Sequence, residues 1–316
     1  MKMKAKSLLV FLLAICSFCA CNRGSKQSVE TPTQGRARIA VDETFRPIID
    51  AELMVFHGIY GEATIEPLYL PANKLFEVLD NDSVRLIISS RRLTEEQKAF
   101  YIDKKLNPRE VAIAKDAIAV IVNRENSDSL LTVEQIRQIL AGKITSWKDI
   151  NPRSRCGAVE VVFDNRNSST VRYAIDSLCN GNIPSASYIN ALEINTDVIE
   201  YVQKNKGSIG FIGVSWISDR NDSTHLSFID KVRVVSLSRY ATADHENSYQ
   251  PFQAYIFNDL YPFTRTMYAI VTDPRNGVPT GFTSFLGSDK GQRIILKSGI
   301  VPAVAPTRVV NVRADY

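Results

Sequence analysis

The chain has 316 residues, with 38 basic and 34 acidic side chains and a net charge of +4. That balance gives no electrostatic reason to expect nucleic acid, whose phosphates select strongly basic surfaces. The length suffices for one large domain or two lobes, and no stretch beyond the N-terminus is long and apolar enough to span a membrane.

The first residues, "MKMKAKSLLVFLLAICSFCACN", combine a basic start (Lys2, Lys4, Lys6) with a short apolar core, Leu8 to Ile15. That core is too short for a bilayer, so the segment is expected to be a targeting signal. Ala20 before Cys21, followed by the polar tether "NRGSKQSVETPTQG", resembles the bacterial lipoprotein signal. The resemblance implies a periplasmic protein held to a membrane through lipid on Cys21. Ordinary secretion with a free Cys21 is the alternative. Removing residues 1–20 also removes three lysines and no acid, leaving a charge of +1. Apart from Cys21, Cys156 and Cys179 are then the remaining cysteines, which an oxidising compartment permits to pair. No cysteine and histidine cluster has zinc-like spacing.

Beyond the tether, strand-like and helix-like segments alternate, which predicts an α/β fold. "ARIAVD", "ATIEPLYL" and "SVRLIISS" read as strands, with helices "FRPIIDAELMVFHGIYG" and "PANKLFEVLDN" between them. "TEEQKAFYIDKKL" follows as a helix with acids in its first turn and lysines in its last. "EVAIAKDAIAVIVN" is an unusually long strand, interrupted by the charged pair Lys115 and Asp116, and such a strand often crosses between lobes. The alternation then restarts with helix "TVEQIRQILAG", strand "VEVVFD" and helix "STVRYAIDSL". "TDVIEYVQKN" is a helix, "GSIGFIGV" and "TRTMYAIVTD" are strands, and "GFTSFLGSDKGQRIILKSG" reads as helix, break, helix. Asp219 to Pro262 is the least legible segment. Two alternating units joined by a long strand suggest two lobes with a ligand cleft between them.

Hydrolase chemistry finds little support. His57, His225 and His245 lie in no recognisable motif, no G-x-S-x-G elbow surrounds Ser168 or Ser169, and no P-loop is present. Three segments offer polar groups between a strand and a helix: "VDETFRPI", "ISSRRLT" and "DNRNSSTVR". Ser168, Ser169 and Thr170 in the last suit a helix cap. The same amides and the helix dipole also suit an anion, and both readings stand. Arg91, Arg92, Arg166 and Arg172 are candidate cationic donors, since guanidinium forks match oxyanion oxygens.

The order of "EVAIAKDAIAVIVN", "LTVEQIRQILAGKITSWKDI", "GSIGFIG", "YPFTRTMYAIVT" and "FLGSDKGQRIILKSGIVP" resembles the phosphate-binding proteins of bacterial phosphate ABC transporters. The likeness runs from about Ile39 to Pro302. It implies a type II periplasmic binding-protein fold, an α/β architecture of two lobes with the ligand cleft between them. Expected divisions are a signal over 1–20, a tether over 21–35, one lobe from 36–114 with 266–316, and the other from 115–265. It further implies capture of inorganic phosphate for an ABC permease and ATPase, with no cofactor and no catalysis. Another oxyanion, phosphate sensing without import, and a serine-dependent hydrolase are the alternatives.

Carried over by position, the resemblance implies phosphate contacts from Thr44, Phe45, Ser168, Ser169 and Thr170. Two departures stand out. Asp164 occupies a place where many members have arginine, and "SSRR" puts Arg91 where some have aspartate. The expectation is that Arg91 supplies the cation, while Asp164 steadies it or accepts the ligand's proton. Asn73 in "PANKLFE" is a weak further candidate.

Overall fold

The computed structural model describes residues 30–181, 188–218 and 227–304. The signal, most of the tether, and the lipidation expected at Cys21 lie outside the described residues. The chain first forms β1 (Gly35–Asp42), α1 (Arg46–Ile59), β2 (Ala63–Leu70), α2 (Ala72–Asp80), β3 (Leu86–Ser89), α3 (Glu95–Asp103) and the long β4 (Arg109–Val122). Next come β5 (Leu130–Thr132), α4 (Val133–Leu140), β6 (Glu160–Phe163), α5 (Ser169–Tyr173), β7 (Ile189–Ala191), α6 (Asn195–Lys204) and β8 (Ser208–Gly213). Last are β9 (Arg233–Val234), β10 (Ser236–Ser238), β11 (Ser248–Tyr249), α7 (Gln253–Phe257), β12 (Thr264–Val271), α8 (Val278–Leu286), α9 (Asp289–Lys297) and β13 (Val301–Pro302).

Local chemistry accounts for these boundaries. Thr94 and Thr132 open α3 and α4 with reciprocal capping boxes to Gln97 and Gln135, which satisfy amides that a helix start leaves orphaned. Strands β3 and β8 are buried at every residue, as expected for strands covered on both faces. The sheet runs β2-β1-β3-β12-β4-β8-β6-β7, with β13 and β9 also pairing β4. Within it, β1 is parallel to β2 and β3, and β6 is parallel to β7 and β8. A small separate sheet, β11-β10-β5, takes in part of the segment that was least legible in sequence.

The charged pair in β4 does not break it. The strand is continuous, and because successive side chains face opposite sides of a sheet, Lys115 turns outward to Asp259 while Asp116 is buried. The strand changes partner at this point. Residues Arg109 to Ala117 pair antiparallel with β12, and Ile118 to Val122 pair with β8. The sheet is thus two half-sheets sharing one strand. One large core spans both halves, from Ile39, Phe45 and Phe56 to Phe163, Phe211 and Trp147. A satellite core of Leu75, Phe76, Leu79 and Tyr101 lies under α2 and α3. Cys156 and Cys179 are both free thiols.

Candidate functional site

The strand β1 ends at Asp42, whose carboxylate caps the turn that follows by accepting from Thr44 N at 3.1 Å and Thr44 Oγ1 at 2.9 Å. In the other half-sheet, β6 ends at Phe163 and a polar loop leads to Ser168, the N-cap of α5. Ser168 Oγ accepts from Val171 N at 3.2 Å and donates to Asp164 Oδ1 at 2.6 Å. The cap reading of this loop is therefore correct. Replacing Ser168 with Ala is expected to lower stability by about 1 kcal/mol, measurable by urea denaturation.

Capping is not all the loop does. Ser169 Oγ lies 3.1 Å from Thr44 Oγ1, joining the two half-sheets. Arg265, from β12, reaches both hydroxyls. Its Nη1 donates to Ser169 Oγ at 2.7 Å, its Nη2 to Thr44 Oγ1 at 3.0 Å, and its Nε to Asp116 Oδ2 at 2.9 Å. The guanidinium also lies over the Phe45 ring, 4.7 Å from its centroid, a favourable cation–π arrangement. Trp216 Nε1 donates to the Thr44 carbonyl at 2.9 Å and fixes the turn from the far side. Gly213 closes β8 here. A Cβ at that position would meet Thr44 O at 3.3 Å, so the bare backbone is what permits the approach.

All of these groups are withdrawn from water: Thr44, Asp42, Asp116, Asp164, Ser168, Ser169, Thr170 and Arg265 are each buried. One cation thus sits among three carboxylates. Burial pushes the Asp164 carboxyl up to about 6, against weaker opposing effects from Ser168 and the Asn165 amide. Burial likewise raises Asp116, partly offset by Arg265. Three buried atoms in this cluster, Asp42 Oδ2, Asp116 Oδ1 and Thr170 Oγ1, have no hydrogen-bond partner. Buried polar groups are normally paired, so these three atoms stand out as the cluster's unsatisfied groups.

Thr44, Phe45, Ser169 and Thr170 come together as one cluster, with Ser168 and Asp164 directly behind it. Arg91 makes no hydrogen bond to these groups. Its guanidinium lies on the Phe76 ring, 3.4 Å from the centroid, and donates to Arg92 O at 2.9 Å and Gln97 Oε1 at 3.2 Å. Asp164 accordingly does not steady Arg91. Among the other candidate donors, Arg92 pairs with Glu110 and Arg172 with Asp176, while Arg166 and Asn73 are exposed. Arg265 was not singled out from sequence, and Asp116 only as part of the charged pair in the long strand. The available signal was an ionised residue on the inward side of an apolar strand, since Phe263, Arg265, Met267 and Ala269 are all buried. Among the described residues neither Ser168 nor Ser169 hydrogen-bonds an imidazole; the Nε2 of His57 in α1 accepts from Ile65 N in β2.

A sheet of two halves sharing one strand, with polar loops from both halves meeting at a buried arginine, defines a periplasmic binding-protein type of architecture. The chain belongs to the PBP superfamily domain family, whose model matches residues 26–290. It is 24% identical over 280 residues to the phosphate-binding protein PstS of Staphylococcus aureus, covering 86% of this chain and 80% of that protein. In fold it is similar to a putative phosphate ABC transporter substrate-binding protein from Clostridium perfringens, solved with bound phosphate. The TM-score there is 0.71 at 21% identity, covering 85% of this chain and 100% of that one. An ABC-type phosphate transport receptor from Vibrio cholerae aligns with a TM-score of 0.61 at 18% identity, over 84% and 99% of the two chains.

Proposed function

We propose that this chain captures inorganic phosphate between its two half-sheets and delivers it to an ABC importer. The observation that carries this reading is Arg265, a buried guanidinium bonded at once to hydroxyls from both halves. Guanidinium, hydroxyls and helix-start amides are the donor set that oxyanions require. The names of the relatives support phosphate as the anion. In this reading Thr44, Phe45, Ser168, Ser169 and Thr170 surround the ligand, and Arg265 takes the cationic role in place of Arg91. Residues 36–114 with 266–316 and residues 115–265 serve as the two lobes, which close by a hinge at β4 and β12. A lipid on Cys21 holds the protein at a membrane facing the periplasm, where a permease and ATPase receive the phosphate.

Asp164 has a further part. Its carboxyl, once ionised, accepts a hydrogen bond from an oxyanion that carries a proton. Sulfate has none to give and leaves the carboxylate unpaired, which costs affinity. Calorimetric titration of the purified protein tests both points. Saturable phosphate binding with much weaker sulfate binding is expected, and in Asp164→Asn the preference for phosphate over sulfate is expected to narrow by about tenfold or more. Absence of phosphate binding by the wild type overturns the reading, and an unchanged preference in the variant overturns the role of Asp164.

A further inference from the structure

We propose that Asn195, the first residue of α6, is a recognition residue that contacts the captured oxyanion through its side-chain amide. Asn195 is 0% exposed, yet neither its Oδ1 nor its Nδ2 has a hydrogen-bond partner among the described residues. Leaving a buried polar group unpaired costs on the order of 1–3 kcal/mol. An amide unpaired at both ends is therefore unusual in a native interior. Such a cost persists where a guest later supplies the missing partners.

Its place in the fold indicates that guest. The strand β7 lies beside β6 in parallel, with Ala191 opposite Phe163, and Leu192 N donates to Phe163 O at 2.9 Å. The helix that follows thus begins at the same sheet edge as Asp164 and the Ser168 loop. Asn195 shares the inward side of α6 with Val198, Ile199 and Val202. Val198 and Val202 pack at Gly210 in β8. Asn195 is one turn nearer the helix start, toward the end of β8 where Gly213 approaches Thr44 and Arg265. Asp197 in the same turn acts electrostatically on Glu43, next to Thr44. Ile194 at the N-cap provides no side-chain cap, which leaves first-turn amides uncapped at the positive end of a ten-residue helix.

A carboxamide offers both hydrogen-bonding senses at once. Its Nδ2 would donate to a bare phosphate oxygen and its Oδ1 would accept from a phosphate hydroxyl. Asn195 thereby adds a donor to a cluster otherwise rich in acceptors, and it does so from an element that supplies none of the contacts carried over by resemblance.

The inference rests on the phosphate reading, and the test separates the two. Phosphate affinity and thermal stability are measured together for the wild type, Asn195→Leu and Asn195→Ala. Asn195→Leu keeps similar bulk and removes the unpaired polar atoms. It is expected to melt at or above the wild-type temperature while losing at least about tenfold in phosphate affinity. Asn195→Ala is expected to lose affinity to a similar extent whatever its melting temperature. A wild type that fails to bind phosphate overturns the functional reading. A wild type that binds, together with variants within twofold of its affinity, overturns only the role of Asn195. An affinity loss in Asn195→Leu that is matched by a fall in melting temperature assigns Asn195 a purely structural part and overturns the inference as well.

Discussion

Replacing Arg265 with Ala is expected to abolish tight phosphate binding and to destabilise the protein in the same stroke. Two charge-assisted hydrogen bonds to Ser169 and Thr44 are lost, which contributes to the destabilisation at about 1.5–3 kcal/mol each. Removing the cationic donor from the proposed anion site is expected to lower phosphate affinity by roughly 100-fold or more. Asp116 is left buried with neither of its oxygens paired to a cation. Breaking a buried ion pair from one side costs about 3–5 kcal/mol. Arg265→Lys keeps the charge and loses the fork, since an ammonium cannot span three acceptors in one plane. Its affinity is expected between those of wild type and Arg265→Ala. Calorimetry and urea denaturation of the two variants check this. An Arg265→Ala protein that binds phosphate within a few fold of wild type removes the basis for the site assigned here.

The second large effect concerns Glu52, on the inward face of α1. It is 0% exposed with no partner for either carboxylate oxygen, and burial pushes its carboxyl up to about 9 from 4.5. The folded protein therefore holds a proton that the unfolded chain releases above about 4.5. Stability is fully present below that pH and is progressively lost as pH rises toward 9. The loss is on the order of a few kcal/mol, at 1.36 kcal/mol per unit of difference. In a domain this large it lowers the melting temperature by on the order of 10 °C. Melting curves between pH 5 and 9 are expected to show that slope in the wild type. Glu52→Gln is expected to flatten it, and Glu52→Leu to melt higher than wild type at pH 8. A slope unchanged in Glu52→Gln shows that Glu52 is not its source.

Most of the fold is legible in sequence because its elements obey single periodicities. The buried parallel strands are short apolar runs such as "LIIS" and "SIGFIG", and α3 and α4 begin at a Thr with a Gln partner three residues on. The loops that meet at the junction are legible for a related reason. A helix start and an anion need the same hydroxyls and amides, so "DNRNSSTVR" could be found before its use was known. Ser168 turns out to serve as the cap, and Ser169 faces the other half. What escaped was supplied by tertiary pairing. Arg265 and Asp116 are 149 residues apart and meet only because β12 and β4 are antiparallel neighbours in one register. Asp116 read as half of a charged pair interrupting a strand, and Arg265 as one residue of the strand "TRTMYAIVTD". Arg91 was favoured because it stands where some members of the resembled family have aspartate, and its guanidinium lies on the Phe76 ring.

The order of strands also governs how the chain can assemble during synthesis. Between β3 and β4 the sheet admits β12, so the first half-sheet stays split, with two open strand edges, until residue 264 and those after it have emerged. The intervening half, built around β6, β7 and β8, is drawn from one continuous stretch and completes first. Open edges are where strands of different molecules pair wrongly. The vulnerable interval of this protein is therefore the time spent making residues 118–263, with the arginine that joins the two halves arriving at the moment the gap closes.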